Sequence, residues 1–457
     1  LSLIAAVVFA VLLVGSMLAL FQLRTMSHPS SETEQPQLYA TVGNTVYRID
    51  PTTHKTLWHF QMPLPAGSTY TYLNTSSPAG SIDFQSHSGY VVNGIYYMIG
   101  IGGGSYYLYA LNTSDGSVRW HFQWSITTNN VMFATNELII NNAVYIEQWE
   151  ESVDYSQIVA LDASTGKQLW QHRYEWRPAS TNKSNKFTVL GMQLQAATND
   201  TLYVTNGFAG TADGWTRSAL STKDGSVIWQ YNTNVNEMPL AAKISDGTLY
   251  IITAHFNNSP GHLYTYDATQ GKEKSVVTFS FSTRAKLMIS PIVSNGVIYL
   301  TVMHPPFTAN GTLRETVYAL RAKDGTQLWH YDIQQGVAEL YGIKDDTLYI
   351  VFAQKTDKKD IVAINAVTGQ ALWSHPVPAD ITSMIGSTKS YDNMTGSIIA
   401  YYNLPLLAMS KDFVYLNTRG NKIYVLRTSD GSFVTSFTIG EKPPAGLSDV
   451  PELVIGP

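Results

Sequence analysis

The chain has 457 residues, no cysteine and a formal net charge of -5, with 44% hydrophobic and 14% charged residues. That balance excludes a disordered chain and a disulfide-stapled one, and leaves a packed core as the source of stability. Twelve per cent aromatic residues beside 33 glycines suit strands and turns, and no Lys/Arg cluster offers a footprint for a phosphate backbone, so nucleic acid is not an expected partner.

The first 23 residues, LSLIAAVVFAVLLVGSMLALFQL, carry no charge and are long enough to cross a hydrocarbon core of about 30 Å. They predict one transmembrane helix, residues 1–23, that anchors the chain in a membrane. A cleaved signal peptide is the competing reading, but the run exceeds an h-region of about 7–15 residues and no small-x-small cleavage site follows. With no Cys there is no site for a lipoprotein anchor. The chain opens on Leu1, so preceding residues are expected, and Arg24 as the one visible flanking charge leaves the orientation open. Residues 24–37, polar and containing Pro29 and Pro36, read as an exposed linker.

From residue 38 one phrase recurs eight times. It reads YRIDPTTHKTLW (Tyr47 to Trp58), YALNTSDGSVRW (Tyr109 to Trp120), VALDASTGKQLW (Val159 to Trp170) and SALSTKDGSVIW (Ser218 to Trp229). It returns as YTYDATQGKEKS (Tyr264 to Ser275), YALRAKDGTQLW (Tyr318 to Trp329), VAINAVTGQALW (Val362 to Trp373) and YVLRTSDGSFVT (Tyr424 to Thr435). Upstream of each copy lies a second short strand with an aliphatic-Tyr pair, at Tyr39, Tyr96, Tyr145, Tyr203, Tyr250, Tyr299, Tyr349 and Tyr415. Before most of these sits a further apolar segment. Four short strands repeated about every 45–60 residues predict an all-β, eight-bladed propeller of four-stranded antiparallel blades over residues 38–457.

The recurring residues have turn chemistry. Asp or Asn at 50, 112, 162, 267 and 365 can accept from backbone N–H groups two or three residues on, while Gly116, Gly166, Gly225, Gly271, Gly325, Gly369 and Gly431 supply positive φ. Blade one has His54 at the glycine position. Trp58, Trp120, Trp170, Trp229, Trp329 and Trp373 should project between blades, with small Ala nearby at 110, 160, 219, 319 and 363. Ser275 and Thr435 replace Trp in blades five and eight, which marks those two junctions as the loosest. Blade one lacks an inner strand and residues 450–457, VPELVIGP, have no blade, so this tail is expected to close blade one.

At this point a resemblance can be named. ALDASTGKQLW (Ala160 to Trp170) is similar to the A-x-D-x-x-T-G-K-x-x-W tryptophan-docking motif of the pyrroloquinoline quinone (PQQ) repeat family, and the likeness runs from Leu38 to Pro457. The family includes quinone-dependent alcohol and sugar dehydrogenases, an outer-membrane assembly-factor lipoprotein and propellers attached to membrane-bound kinases. The resemblance implies an eight-bladed propeller; it does not imply an activity, because the motif is architectural. In the dehydrogenase branch Glu, Asn and Asp hold a calcium ion against the quinone, an Asp is the general base, a Trp lies under the ring and adjacent cysteines commonly cover it. This chain has no Cys, and none of its Glu, Asn or Asp residues can be assigned to that calcium set.

Residues that recur at turns around the ring cannot converge on one substrate, so Asp162 and Asp267 read as turn residues and not as general bases. The interruptions are more informative. EQWEESVDY (Glu147 to Tyr155) gathers Glu147, Glu150, Glu151 and Asp154, which could hold Ca²⁺ but lack the spacing of a calcium loop, so a solvated acidic hairpin is the plainer reading. His255 and His262 flank the blade-five hairpin as two zinc ligands without a third. Met132, Met192, Met238 and Met288 precede the Tyr strands of blades three to six and read as core filling before a binding surface. His59, His121 and His330, each after a docking Trp, should point to water. Trp124, Trp149, Trp176 and Trp215 stand outside the repeat as candidates for an exposed interaction surface.

The sequence therefore predicts a membrane-anchored, extracytoplasmic propeller without catalytic activity, metal or cofactor, which binds or scaffolds a protein partner. Two alternatives compete with it: a PQQ-dependent dehydrogenase using quinone and calcium, and the sensor domain of a receptor kinase whose N-terminal part precedes Leu1.

Overall fold

The computed structural model describes residues 37–63, 89–102, 105–125, 137–149, 155–175, 189–208, 215–232, 237–245, 247–255, 261–279, 286–287, 291–304, 314–333, 336–353, 359–377, 388–392, 397–401, 407–418, 420–441 and 452–456. The membrane span expected at residues 1–23 and most of the expected linker lie outside them, and no described helix is long and apolar enough to cross a membrane.

Strand alternation explains the architecture. Each Tyr strand buries side chains on both faces, as in Leu38–Val42, because a blade is covered by a neighbour on either side. Blade three, for example, consists of Glu137–Ile140, Ala143–Trp149, Tyr155–Asp162 and Gln168–Glu175, paired in chain order from inner to outer strand. Blades two, four, five, seven and eight repeat this order. Blade six has a divided inner strand, Lys286–Leu287 and Ile292–Ser294, both paired to Val297–His304. An additional hairpin, Thr388–Asp392 with Ser397–Tyr401, lies in the chain between blades seven and eight.

Blade one contains both ends of the described chain. Its inner strand is Glu452–Gly456, antiparallel to Gln37–Val42 with Leu38 opposite Ile455 and Ala40 opposite Leu453. Leu38, Ala40 and Leu453 then share a buried cluster with Tyr415, Ile423 and Val425 of blade eight, so the ring closes through packed side chains as well as through a ladder.

A register shift follows the third-strand residue that faces the docking position in every blade, as between Ala160 and Leu161, and that residue is Ala in five blades. Such a bulge sharpens the local twist of the outer hairpin. Just before it, Ala110, Ala160, Ala219, Ala319 and Ala363 stand directly opposite Trp120, Trp170, Trp229, Trp329 and Trp373. Each indole leans onto the hairpin of the following blade. A Cβ added to Gly166 would lie 2.6 Å from the Trp120 ring, and one on Gly369 would lie 2.7 Å from Trp329. Glycine is therefore needed twice, for a φ near 70° and for close approach of the ring.

Three expectations are corrected. The tyrosine of blade two that matches the repeat is Tyr97, not Tyr96: Tyr97 pairs with Ala110 and packs on Trp120, whereas Tyr96 faces the other way and stacks on Tyr39 of blade one at 5.1 Å. A shift of one residue along a strand moves a side chain to the opposite face, and the doubled Tyr in GIYYM hides that choice. The junctions after blades five and eight are not left open at Ser275 and Thr435. Val277, two residues on and on the same face, meets the position where Gly325 would carry a Cβ, and Phe437 stacks on His54 at 4.7 Å. Opposite Ser275 and Thr435 the usual Ala becomes Thr265 and Val425, which refill the pair from the other strand. His54 itself adopts φ 57°, the left-handed conformation of the glycine it replaces. Finally, Trp124 is not an exposed interruption. It belongs to the outer strand Val118–Ser125 and packs against Phe122 beside the cluster between blades two and three.

Candidate functional site

Two rims of the ring differ in construction. On one, the hairpin amide of every repeat but the first, where Pro51 has no N–H, donates to the carbonyl of the turn between the first two strands. Ala163 N donates to Asn142 O at 2.8 Å, Ala322 N to Gly296 O at 2.8 Å and Ala366 N to Asp346 O at 2.8 Å. Thr113, Thr222, Ala268 and Thr428 make the same bond to Gly94, Asp200, Gly247 and Asp412. Short turns are thereby stapled to one another. The opposite rim carries the connections between second and third strands and those that pass from blade to blade.

The turn carboxylates belong to the stapled rim and are occupied there. Asp162 Oδ1 accepts from the amides of Ser164 and Thr165 at 3.0 and 2.8 Å, and Asp50, Asp267 and Asn365 repeat the arrangement. Asn112 does not. In that blade Asp115, beside the glycine, accepts from the Ser117 amide, and Asp224, Asp324 and Asp430 do the same for Ser226, Thr326 and Ser432. The motif therefore has two forms, one with Asp four residues before Gly and one with Asp-Gly-Ser/Thr, and the second form was missed although its signal is in the sequence. Hydroxyl and amide donors hold these carboxylates below their ordinary range: the Ser164 and Thr165 hydroxyls act first on Asp162, and Thr326 lowers Asp324 to about 2. A carboxylate so held is a poor proton acceptor at neutral pH.

The other rim receives the residues that interrupt the repeat. Trp149 ends the second strand of blade three opposite Ser156, Trp215 opens the third strand of blade four opposite Gly207, and His255 ends the second strand of blade five. These backbones stand at strand ends rather than in connections. His262 opens the next strand, half-buried and 5.8 Å from the Tyr264 ring. Glu150, Asp154, Trp176, Met132 and Met288 lie outside the described residues. Glu147 is buried to 2% exposure, so it is not part of a solvated acidic hairpin. Among the described residues no three His, Asp or Glu side chains are grouped to hold a metal ion. His59, His121 and His330 are exposed and pack against Tyr47, Tyr109 and Tyr318 on the adjoining strand.

Besides Glu147, two further buried ionisable residues that the repeat pattern does not provide for set two junctions apart. Where other blades place an aliphatic residue, blade four has Arg217, and where they place Leu or Ile, blade five has Tyr266. Arg217 Nη1 donates to Tyr266 Oη at 2.8 Å and its guanidinium lies 4.3 Å from the centre of the Tyr264 ring. The neighbouring Trp229 still covers Gly271 but differs from the other docking tryptophans in its hydrogen bonding. Trp58, Trp120, Trp170, Trp329 and Trp373 donate their indole N–H to Thr113, Ala163, Thr222, Ala366 and Thr428 carbonyls at 2.7–2.9 Å. At Trp229 the matching carbonyl, Ala268 O, accepts from the Tyr203 hydroxyl, and the indole N–H is buried without a partner. The second such residue is Glu315, 1% exposed between blades six and seven, with its pKa pushed up to about 8 by burial against the opposing effect of the Ala338 amide.

Eight four-stranded blades, locked by an aromatic or aliphatic side chain on the following hairpin, define a propeller of the PQQ-repeat class. The family described as outer membrane protein assembly factor BamB matches residues 42–243 and 212–399, and the chain belongs to that family. No curated protein sequence matches the chain. Among solved structures, Citrobacter koseri AztD is similar over 92% of this chain and 97% of its own, at 11% identity and a TM-score of 0.52. A europium-containing methanol dehydrogenase is similar over 84% and 82%, at 12% identity and 0.50. BamB from Moraxella catarrhalis is similar over 83% and 90%, at 17% identity and 0.43. At these identities the likeness to AztD and to the dehydrogenase is one of fold alone.

Proposed function

We propose that this propeller binds or scaffolds a protein partner through the rim of long connections, outside the cytoplasm, and that residues 1–23 anchor it in a membrane. The observation that supports this reading is the difference between the rims. One is closed by turn-to-turn hydrogen bonds, as from Ala163 N to Asn142 O, while Trp149, Trp215, His255 and His262 stand at the strand ends of the other. Connections on a rigid scaffold are free to vary in length and chemistry, and aromatic residues there anchor interfaces. Membership of an assembly-factor family is consistent with the same role. The ring needs neither quinone nor calcium in this reading, since its recurrent carboxylates are consumed by turns and its buried ones sit in separate junctions.

Photo-crosslinking in membranes of the source cells tests the proposal. A crosslinker at position 149 or 215 should give a discrete adduct of higher mass, and one at Thr165 or Lys323 on the stapled rim should not. Equal labelling from both rims, or from neither, would overturn it. Retention of the full chain in the membrane pellet after alkaline washing, and release of a chain starting at residue 37, tests the anchor. A calcium-dependent, visibly absorbing complex with added PQQ would instead establish the dehydrogenase reading.

A further inference from the structure

The third strand of blade six, Arg314–Arg321, turns Glu315, Val317 and Ala319 toward blade seven. Glu315 is 1% exposed, and its strand neighbours Met303 and Ile333 are buried and apolar. One carboxyl oxygen, Oε2, accepts from the Ala338 amide of blade seven at 2.5 Å, on the inner strand Val337–Lys344. The other, Oε1, is buried with no hydrogen-bond partner. An ionised carboxylate with one donor and no cation is among the most costly groups to bury, whereas the neutral acid is tolerated as an ordinary polar side chain. The equivalent position, four residues before the one facing the docking residue, is Asn44 in blade one, Ser156 in blade three and Asn421 in blade eight. Asn44 and Asn421 donate within their own blades, to Met62 O and Glu441 O. Glu315 differs from these neutral residues in being ionisable, and it reaches across a junction.

We propose that Glu315 is a proton-dependent tie: as a neutral acid it holds the inner strand of blade seven against blade six, and its ionisation opens this junction of the ring. The ionisable residues whose backbones stand at this end, among the described residues, are His304, Arg314 and Asp332 on blade six and Glu339, Lys359, Asp360 and His375 on blade seven. His304 and Asp332 are linked through the Thr316 hydroxyl at 3.1 and 2.8 Å, on the opposite face of the strand from Glu315. Asp360 acts on Tyr331 and His375. On Glu315 the causes are burial and then the Ala338 amide, with none of these charges among them. Lys344 and Arg321 lie at the far ends of their strands. An acid whose pKa is higher closed than open loses a proton on opening, so opening is favoured as pH rises from the open-state value near 4.5 to about 8, and levels off above.

Hydrogen exchange of the full chain, read on peptides covering Gln327–Leu340 and corrected for intrinsic rates, tests this. The opening constant should rise up to about tenfold per pH unit between roughly pH 5 and 8, and Glu315→Gln or the apolar Glu315→Met should remove that rise while peptides from blades two and three are unchanged. A rise that persists in either folded variant overturns the proposal. Infrared spectra of the unaltered protein give a reading that needs no variant. A protonated carboxyl band at pH 6.5 that is lost by pH 9 supports the tie, and its absence at pH 6.5 overturns it.

Discussion

The guanidinium of Arg217 in blade four donates to the hydroxyl of Tyr266 in blade five at 2.8 Å, while its face covers Tyr264 at 4.3 Å. Both partners stand where the other blades carry aliphatic side chains, so one polar exchange required the other. A buried guanidinium without its acceptor, or a buried phenol without its donor, costs roughly 1–3 kcal/mol beyond the lost contact. Arg217→Leu and Tyr266→Leu should each lower stability by about 2 kcal/mol, and the double variant should lose less than their sum, with a coupling of about 1–2 kcal/mol. Urea midpoints of the four proteins measure it; strictly additive losses would show that the two residues act separately.

The same junction makes Trp229 unlike the other docking tryptophans. Trp120 donates to Ala163 O at 2.9 Å, a carbonyl it shares with the Tyr97 hydroxyl, whereas at Ala268 O the Tyr203 hydroxyl is bound alone and the Trp229 N–H is buried without an acceptor. Trp→Phe removes similar ring area at both sites but a hydrogen bond at only one. Trp120→Phe should therefore cost about 1 kcal/mol more than Trp229→Phe. Thermal melts of the pair check the difference, and a larger loss at Trp229 would contradict the account of its orphaned N–H.

At the closing junction the docking side chain is displaced by two residues, from Thr435 to Phe437, which stacks on His54. Phe437→Ala should destabilise the ring by about 2 kcal/mol, a partly buried aromatic being lost, and Thr435→Ala by less than about 1. If Thr435→Ala were the more damaging, the junction would depend on position 435 after all. His54→Ala keeps a non-glycine residue at positive φ and loses the stack, so it should be less stable than His54→Gly.

The sequence is legible where one physical demand recurs. An indole needs a glycine beneath it and a small residue opposite, and that demand repeats around the ring with few exceptions, so blades, hairpins and docking residues could be read from spacing. It is less legible where two solutions satisfy one demand. Val277 and Phe437 fill the same gap as Trp from two residues further along, Asp115 replaces Asn112 as the turn acceptor, and Tyr97 replaces its neighbour Tyr96. Arg217, Tyr266 and Glu315 escaped because each looks ordinary alone. Their meaning depends on the facing blade, a relation between positions about 50 and 23 residues apart that no local pattern encodes.

Acid should weaken the ring through its hairpins. Asp50, Asp115, Asp162, Asp224, Asp267, Asp324 and Asp430 all have carboxyls lowered by hydrogen bonds from their own turns, and for Asp324 the value falls to about 2. A carboxyl that is more acidic folded than unfolded contributes its stabilisation fully above the unfolded value of about 4, and loses it as pH falls through the folded value. The melting temperature should drop between about pH 4 and 2. Asn at all seven positions keeps an acceptor oxygen without the titration, so this variant should lose most of that drop, and an undiminished acid transition would place the acid-sensitive groups elsewhere. Glu315 acts with the opposite sign, since its contribution declines from about pH 5 to 8, so acid weakens the ring through the turn carboxylates and alkali through the buried acid.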